Sequence, residues 1–226
     1  MPTISGKEFN ELYKDNTFIK PITKSGEHNG FRFKSGYNTD TIHFDPDINK
    51  PGGFTFYDEY DMGKYLHYNN KTMHYIRYVT IPDSATVSVE YPSFYSSNGA
   101  MRFKTNKFIL SKKILISEHE LWADEHFCLK ALKHDITSFQ YMKNPSELVC
   151  IEAVKKNGLL LQYIPNQTES IYIAAFKQNK LAKKYVKDSK SLEKIKEIET
   201  LQKGEKCMTG CLYLVAALVI FFIFHN

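Results

Sequence analysis

The sequence predicts an α+β N-terminal domain followed by an α-helical repeat block and a C-terminal transmembrane helix. Three observations carry this expectation. Residues up to about Leu121 are rich in Tyr, Phe, Thr and Gly and show short alternating runs. From Ala123 to Asp188 a pattern of 22 residues recurs three times. From Cys207 to Phe224, eighteen residues pass without a charge, and only His225 and Asn226 come after them. The expected boundaries are 1–121 for the α+β domain, 122–188 for the repeats, 189–206 for a basic amphipathic stalk and 207–224 for a membrane anchor.

In the first part, Phe54-Thr55-Phe56-Tyr57 reads as a strand leaving a Pro51-Gly52-Gly53 turn, and Asp58–Tyr68 reads as a short helix. His74–Ile81 reads as a strand ended by Pro82-Asp83-Ser84, and Thr86–Tyr91, Met101–Lys104 and Lys107–Ile116 add three more. In each, β-branched and aromatic residues alternate between turn formers. Strands and helix in mixed order point to α+β packing. The segment is long enough to bury a core of its own.

The repeats align ADEHFCLKALKHDITSFQYMKN, PSELVCIEAVKKNGLLLQYIPN and QTESIYIAAFKQNKLAKKYVKD. Glu125, Glu147 and Glu169 fall in phase, as do Ala131, Ala153 and Ala175, Tyr141, Tyr163 and Tyr185, and Asp135, Asn157 and Asn179. A fixed period of this kind signals stacked units that bury their apolar faces on one another. Asn144 and Asn166 are expected to N-cap helices, with Pro145 at the first position and Glu147 or Glu169 completing a capping box. Asn157-Gly158 is expected to stop the helix in left-handed geometry, and a second helix to return over about Leu159–Ile164. The alanines allow close helix approach, and the tyrosines are expected to seal between units. After Asp188, Leu192, Ile195, Ile198 and Leu201 continue an amphipathic helix.

Eighteen helical residues span about 27 Å, against a hydrocarbon core of about 30 Å, thinner in some membranes. A buried core helix competes, but Leu212–Phe224 offers no polar face beyond the Tyr213 hydroxyl. The anchor is expected to rest on Leu212, Leu214, Val215, Leu218, Val219, Ile220, Phe221, Phe222, Ile223 and Phe224, with Cys207 and Cys211 open to palmitoylation at the membrane entrance. The chain carries +5, and residues 177–206 hold ten lysines and five acids, so the remainder sums to zero. Basic flanks stay cytoplasmic and attract anionic lipid. The expectation is a single-pass protein in a host or virion-internal membrane, its N-terminus cytosolic. A neutral body with a basic stalk suits a lipid bilayer, and no nucleic-acid partner is expected.

Chemical motifs are sparse. Four widely spaced cysteines are not a disulfide framework, and Cys128 and Cys150 share a phase with Tyr172, which reads as core. His43-Phe44-Asp45-Pro46-Asp47 lacks further residues at ligand spacing, so no metal and no cofactor are expected. His119-Glu120 has Ala123 where a zincin helix needs histidine. No nucleophile elbow, phosphate-binding glycine loop or CxxC pair is present.

The strings SELVCIEAVKKNGLLLQYIP and TESIYIAAFKQN resemble the short helical repeat found in giant viruses of the mimivirus group and in some bacteria. HNGFRFKSGYNTD at His28–Asp40, PGGFTF at Pro51–Phe56 and IRYVTIPDSATV at Ile76–Val87 resemble the N-terminal domain of another giant-virus family. Lys50-Pro51 stands where that family carries a cysteine. These resemblances imply a viral origin and an interaction scaffold with no active site. His28-Asn29-Gly30, Gly52-Gly53 and the segment through Tyr65 also resemble ADP-ribosyltransferases. That likeness implies His28 and Tyr65 gripping a nicotinamide dinucleotide, with Glu90 orienting the ribose.

Two functions follow. The first is a tail-anchored, non-enzymatic binding or scaffold protein that holds a protein partner through its N-terminal domain or repeats. The alternative is a membrane-held ADP-ribosyltransferase-like enzyme. A pocket joining His28, Tyr65 and Glu90 would favour the second.

Overall fold

The computed structural model describes residues 2–28, 30–68, 71–91 and 101–201. The chain divides into two compact units, Met1–Ser146 and Glu147–Asn226.

Among the described residues of the first unit, nine strands form one sheet. They are β1 (Thr3–Ser5), β2 (Phe18–Ile22), β3 (Gly36–Thr39), β4 (Phe54–Asp58), β5 (Tyr75–Thr80), β6 (Thr86–Glu90), β7 (Arg102–Thr105), β8 (Lys107–Leu110) and β9 (Ile114–Leu115). The order is β1-β6-β7-β4-β2-β5-β8-β3, with β9 beside β5, and every pairing is antiparallel. Val89 lies opposite Phe103, and Phe103 opposite Phe56, so one apolar row crosses β6, β7 and β4. Helix α1 (Gly6–Leu12) lays Phe9 on that row, its ring 5.7 Å from Phe56, 5.5 Å from Phe103 and 5.0 Å from Phe18. Tilted and edge-on aromatic pairs of this kind add about 1 kcal/mol each beyond burial.

Two elements differ from the sequence expectation for local reasons. The helix expected over Asp58–Tyr68 is a 3-10 helix at Glu59–Tyr65, capped by Asp58, whose carboxylate accepts from the Tyr60 N–H at 2.9 Å. At three residues per turn, Met62 and Tyr65 eclipse and are buried together. The strand expected over Lys107–Ile116 is broken after Leu110. There the Ser111 hydroxyl accepts from the Tyr78 N–H at 2.9 Å, taking the place of a ladder bond.

The first copy of the 22-residue pattern lies in the first unit, as α2 (Glu125–His134) and a 3-10 helix at Ile136–Tyr141. The second unit holds α3 (Glu147–Lys156) with a 3-10 helix at Gly158–Tyr163, α4 (Glu169–Gln178) with another at Lys180–Tyr185, and helical residues 189–201. Asp135, Asn157 and Asn179 end their helices in extended backbone, with φ between −147° and −144°. Each side chain accepts the N–H two residues on, at 2.8, 3.1 and 2.9 Å, and so starts the 3-10 helix. The left-handed stop expected at Asn157-Gly158 is therefore replaced by an Asx turn. The caps expected at Asn144 and Asn166 also move. Helix α3 begins at Glu147, and Thr168 occupies the N-cap position of α4 without a side-chain cap bond. Glu147 instead accepts from the Thr168 hydroxyl, 2.5 Å away on the next repeat.

The fold-class expectation is corrected. The described residues form a mixed α/β fold around the nine-stranded antiparallel sheet, and none of their helices is long and apolar enough to cross a membrane. Helices α2, α3 and α4 have ten residues each, or about 15 Å at 1.5 Å per residue, roughly half a hydrocarbon core. Residues 189–201 carry Lys190, Glu193, Lys194, Lys196, Glu197 and Glu199. The membrane, single-pass, tail-anchored and cytosol-facing expectations are corrected on the same finding. The residues they rested on, Leu212, Leu214, Val215, Leu218, Val219, Ile220, Phe221, Phe222, Ile223 and Phe224, lie outside the described residues, as do Cys207 and Cys211.

Candidate functional site

The first unit contains a cavity of about 590 Å³ over Gly52-Gly53 and another of about 470 Å³ beside Arg77. The larger one is built on a loop that only glycine can turn. Gly52 has φ +85°, and a Cβ there would sit 1.9 Å from the His43 carbonyl oxygen. Gly53 has φ +101°, and its N–H donates to the Asp40 carboxylate at 2.7 Å.

Lys104 closes the loop from beneath. Its ammonium donates to the carbonyls of Asp45, Asp47 and Lys50 at 2.8, 2.7 and 2.8 Å. Three donors meet three acceptors, so this buried charge has a full complement of partners. Its pKa is lowered by burial, an effect that Asp45, Asp47 and Asp40 offset only in part. The Asp45 and Asp47 carboxylates accept the N–H groups of Asp47 and Asn49 in successive Asx turns. Among the described residues no group of three His, Cys, Asp or Glu side chains could hold a metal ion.

Lys20 lines the same cavity and is 1% exposed. Its ammonium donates to the Thr55 carbonyl at 2.7 Å and hydroxyl at 3.2 Å, and stands 5.1 Å from the Phe33 ring centre. Burial lowers its pKa to about 7.

Of the residues singled out from the sequence, Gly30, Gly52 and Gly53 line the larger cavity, whereas neither cavity is lined by Tyr65 or Glu90. His28 pairs with Phe31 in a two-residue ribbon. Tyr65 is buried, its ring stacked 3.6 Å from that of Tyr57. The Glu90 carboxylate is ion-paired with Arg102 Nε at 2.5 Å, its register partner on β7. Cys128 and Cys150 are buried, and burial pushes the Cys128 thiol up to about 11 and raises that of Cys150. Such thiols pack and do not react.

Sequence reasoning missed Lys20, Arg77 and Lys104. The available signal was a lone cation inside an apolar run, as in FIKPI and YIRYVTI.

In the second unit glutamine side chains join repeat to repeat. The Gln178 side-chain oxygen accepts from the Gly158 N–H at 2.6 Å. Gly158 is needed there, because a Cβ would lie 2.4 Å from the Ala175 carbonyl oxygen. The Gln167 amide donates to the carbonyls of Leu161 and Tyr185, both at 3.0 Å, and its oxygen accepts the Lys187 N–H at 3.1 Å. Tyr163, expected to seal between repeats, is 68% exposed; the sealing falls to the buried Leu161, Ile164 and Ala182. Leu181 is also exposed, at 64%, and Leu148 at 47%.

Comparison with family models, with characterised proteins and with solved structures finds no match.

Proposed function

We propose that this chain is a non-enzymatic binding scaffold that holds a protein partner through its repeat unit. The observation that carries the proposal is the division of labour in that unit. Gln167, Gln178, Glu147 and Thr168 are engaged in bonds between repeats, while Leu148, Tyr163 and Leu181 face solvent. Exposed large apolar side chains on a rigid support supply contact area, and tyrosine supplies it at small entropic cost. Lysine excess over residues 177–206 favours an acidic partner surface. The resemblance of both parts to giant-virus families supports a viral origin and the same scaffold role.

The double variant Tyr163→Ser/Leu181→Ser tests the reading. It is expected to keep the wild-type melting temperature and to lose the partner that co-purifies with the wild-type chain. Equal retention by both proteins would refute the proposed surface. Release of nicotinamide from NAD by the wild-type chain would refute the non-enzymatic role.

A further inference from the structure

The cavity of about 470 Å³ beside Arg77 has a one-sided charge. Lys24, Arg32, Arg77, Lys112 and Lys113 line it, and among the described residues no Asp or Glu does. Arg32 is held at the rim by Glu27, 2.9 Å away, and both side chains are largely exposed. Lys112 and Lys113 are exposed, and the Lys113 ammonium stands 4.5 Å from the Tyr75 ring centre.

Arg77 is different in kind. It lies on β5 and is 8% exposed. One terminal nitrogen donates to the Ser35 hydroxyl at 2.8 Å and to the Ser111 carbonyl at 2.6 Å. Its Nε–H is buried and has no acceptor. Among the described residues no carboxylate forms an ion pair with it. Its register partner across β2 is another buried cation, Lys20. A buried guanidinium is normally matched by an anion, because an unmatched charge is costly to hold away from water. Here the protein brings cations to a cavity wall and leaves an N–H without a partner.

We propose that this cavity binds a phosphate-bearing small molecule, with Arg77 as the anchoring cation and Lys112 and Lys113 at its mouth. A planar guanidinium fork suits phosphate oxygens, and flexible lysines add point charges around it. Several cations with no acid suit a polyanion better than a single carboxylate. The volume falls in the range of small-molecule sites, and Phe33 and Tyr75 provide an aromatic wall for an organic portion. The broken strand positions the mouth. Ser111 both ends β8 and accepts from Arg77, so Lys112 and Lys113 follow directly above that contact in the chain. The inference is independent of the scaffold role, since it uses residues of the first unit alone.

The test uses the full chain titrated with pyrophosphate and, separately, with ATP, at ionic strength matched by sodium chloride. Calorimetry is expected to show saturable binding that weakens at least ten-fold in Lys112→Glu/Lys113→Glu. Because both lysines are exposed, that variant is expected to melt as the wild type does. In the wild type, the Arg77 Nε–Hε resonance is expected to shift along the same binding curve. Tighter binding of ATP assigns the site to a nucleotide-type ligand; tighter binding of pyrophosphate assigns it to a free polyphosphate, and either upholds the proposal. Absence of saturable binding with both probes, unchanged affinity in the lysine variant, or a stationary Arg77 resonance would overturn it.

Discussion

Lys20→Met should remove a pH dependence that the wild-type chain shows above neutrality. Lys20 is fully enclosed, and its pKa is lowered from 10.5 to about 7 by burial. The folded-state value lies below the unfolded one. Between pH 7 and pH 10.5 the unfolded chain therefore holds the extra proton, and stability rises with pH across that window. A drop of about 3.5, at about 1.4 kcal/mol each, amounts to roughly 5 kcal/mol over the whole window. Below pH 7 both states carry the proton, and the full penalty of the buried charge is present. Methionine fills a similar volume and does not titrate. It also loses the bonds to Thr55, but that loss shifts stability by the same amount at every pH. Urea unfolding of both proteins at intervals from pH 6 to pH 10 gives the difference in stability. Other titrating groups cancel in this difference, so its slope reports Lys20. The variant should be favoured by several kcal/mol more at pH 6 than at pH 10. A pH-independent difference would refute the assignment of a depressed pKa to Lys20.

Gly52→Ala forces a Cβ to within 1.9 Å of the His43 carbonyl oxygen at a positive φ; a loss of at least about 2 kcal/mol in thermal unfolding is expected. Lys104→Met leaves the carbonyls of Asp45, Asp47 and Lys50 without their donor. At about 1 kcal/mol or more each, roughly 3 kcal/mol should be lost, and limited proteolysis should cut the 45–50 segment first. Asn157→Ala removes the acceptor for the Leu159 N–H and should cost about 1 kcal/mol. Asn157→Asp keeps an acceptor there and should unfold close to wild type in the same urea titration.

Part of the fold was legible along the chain. Alternating residues at Phe54, His74, Thr86 and Met101 fall where β4, β5, β6 and β7 lie, because a strand declares its two faces locally. The recurrence of Asp135, Asn157 and Asn179 was visible too, but not what the side chains do. An Asx turn and a left-handed cap use the same residues, and the backbone angle distinguishes them. The apolar run at 207–224 dominated the expected fold class, yet every described helix is too short or too charged to cross a bilayer. The candidate residues were harder to read. His28, Tyr65 and Glu90 were joined by likeness to a known site, whereas Glu90 pairs with Arg102 across two strands and Tyr65 packs on Tyr57.

The sequence by itself determined the alternation of the strands, the 22-residue period and the separation of a neutral body from a lysine-rich segment. These are local properties, set by residue type and spacing. Only the tertiary structure decided that Lys20 lies opposite Arg77, that three loop carbonyls surround Lys104, and that Lys112 and Lys113 line one cavity together with Arg77. Each of those depends on which strands pair and which loops close over them. A lysine in an apolar run announces that its charge must be met, and only the folded chain shows what meets it.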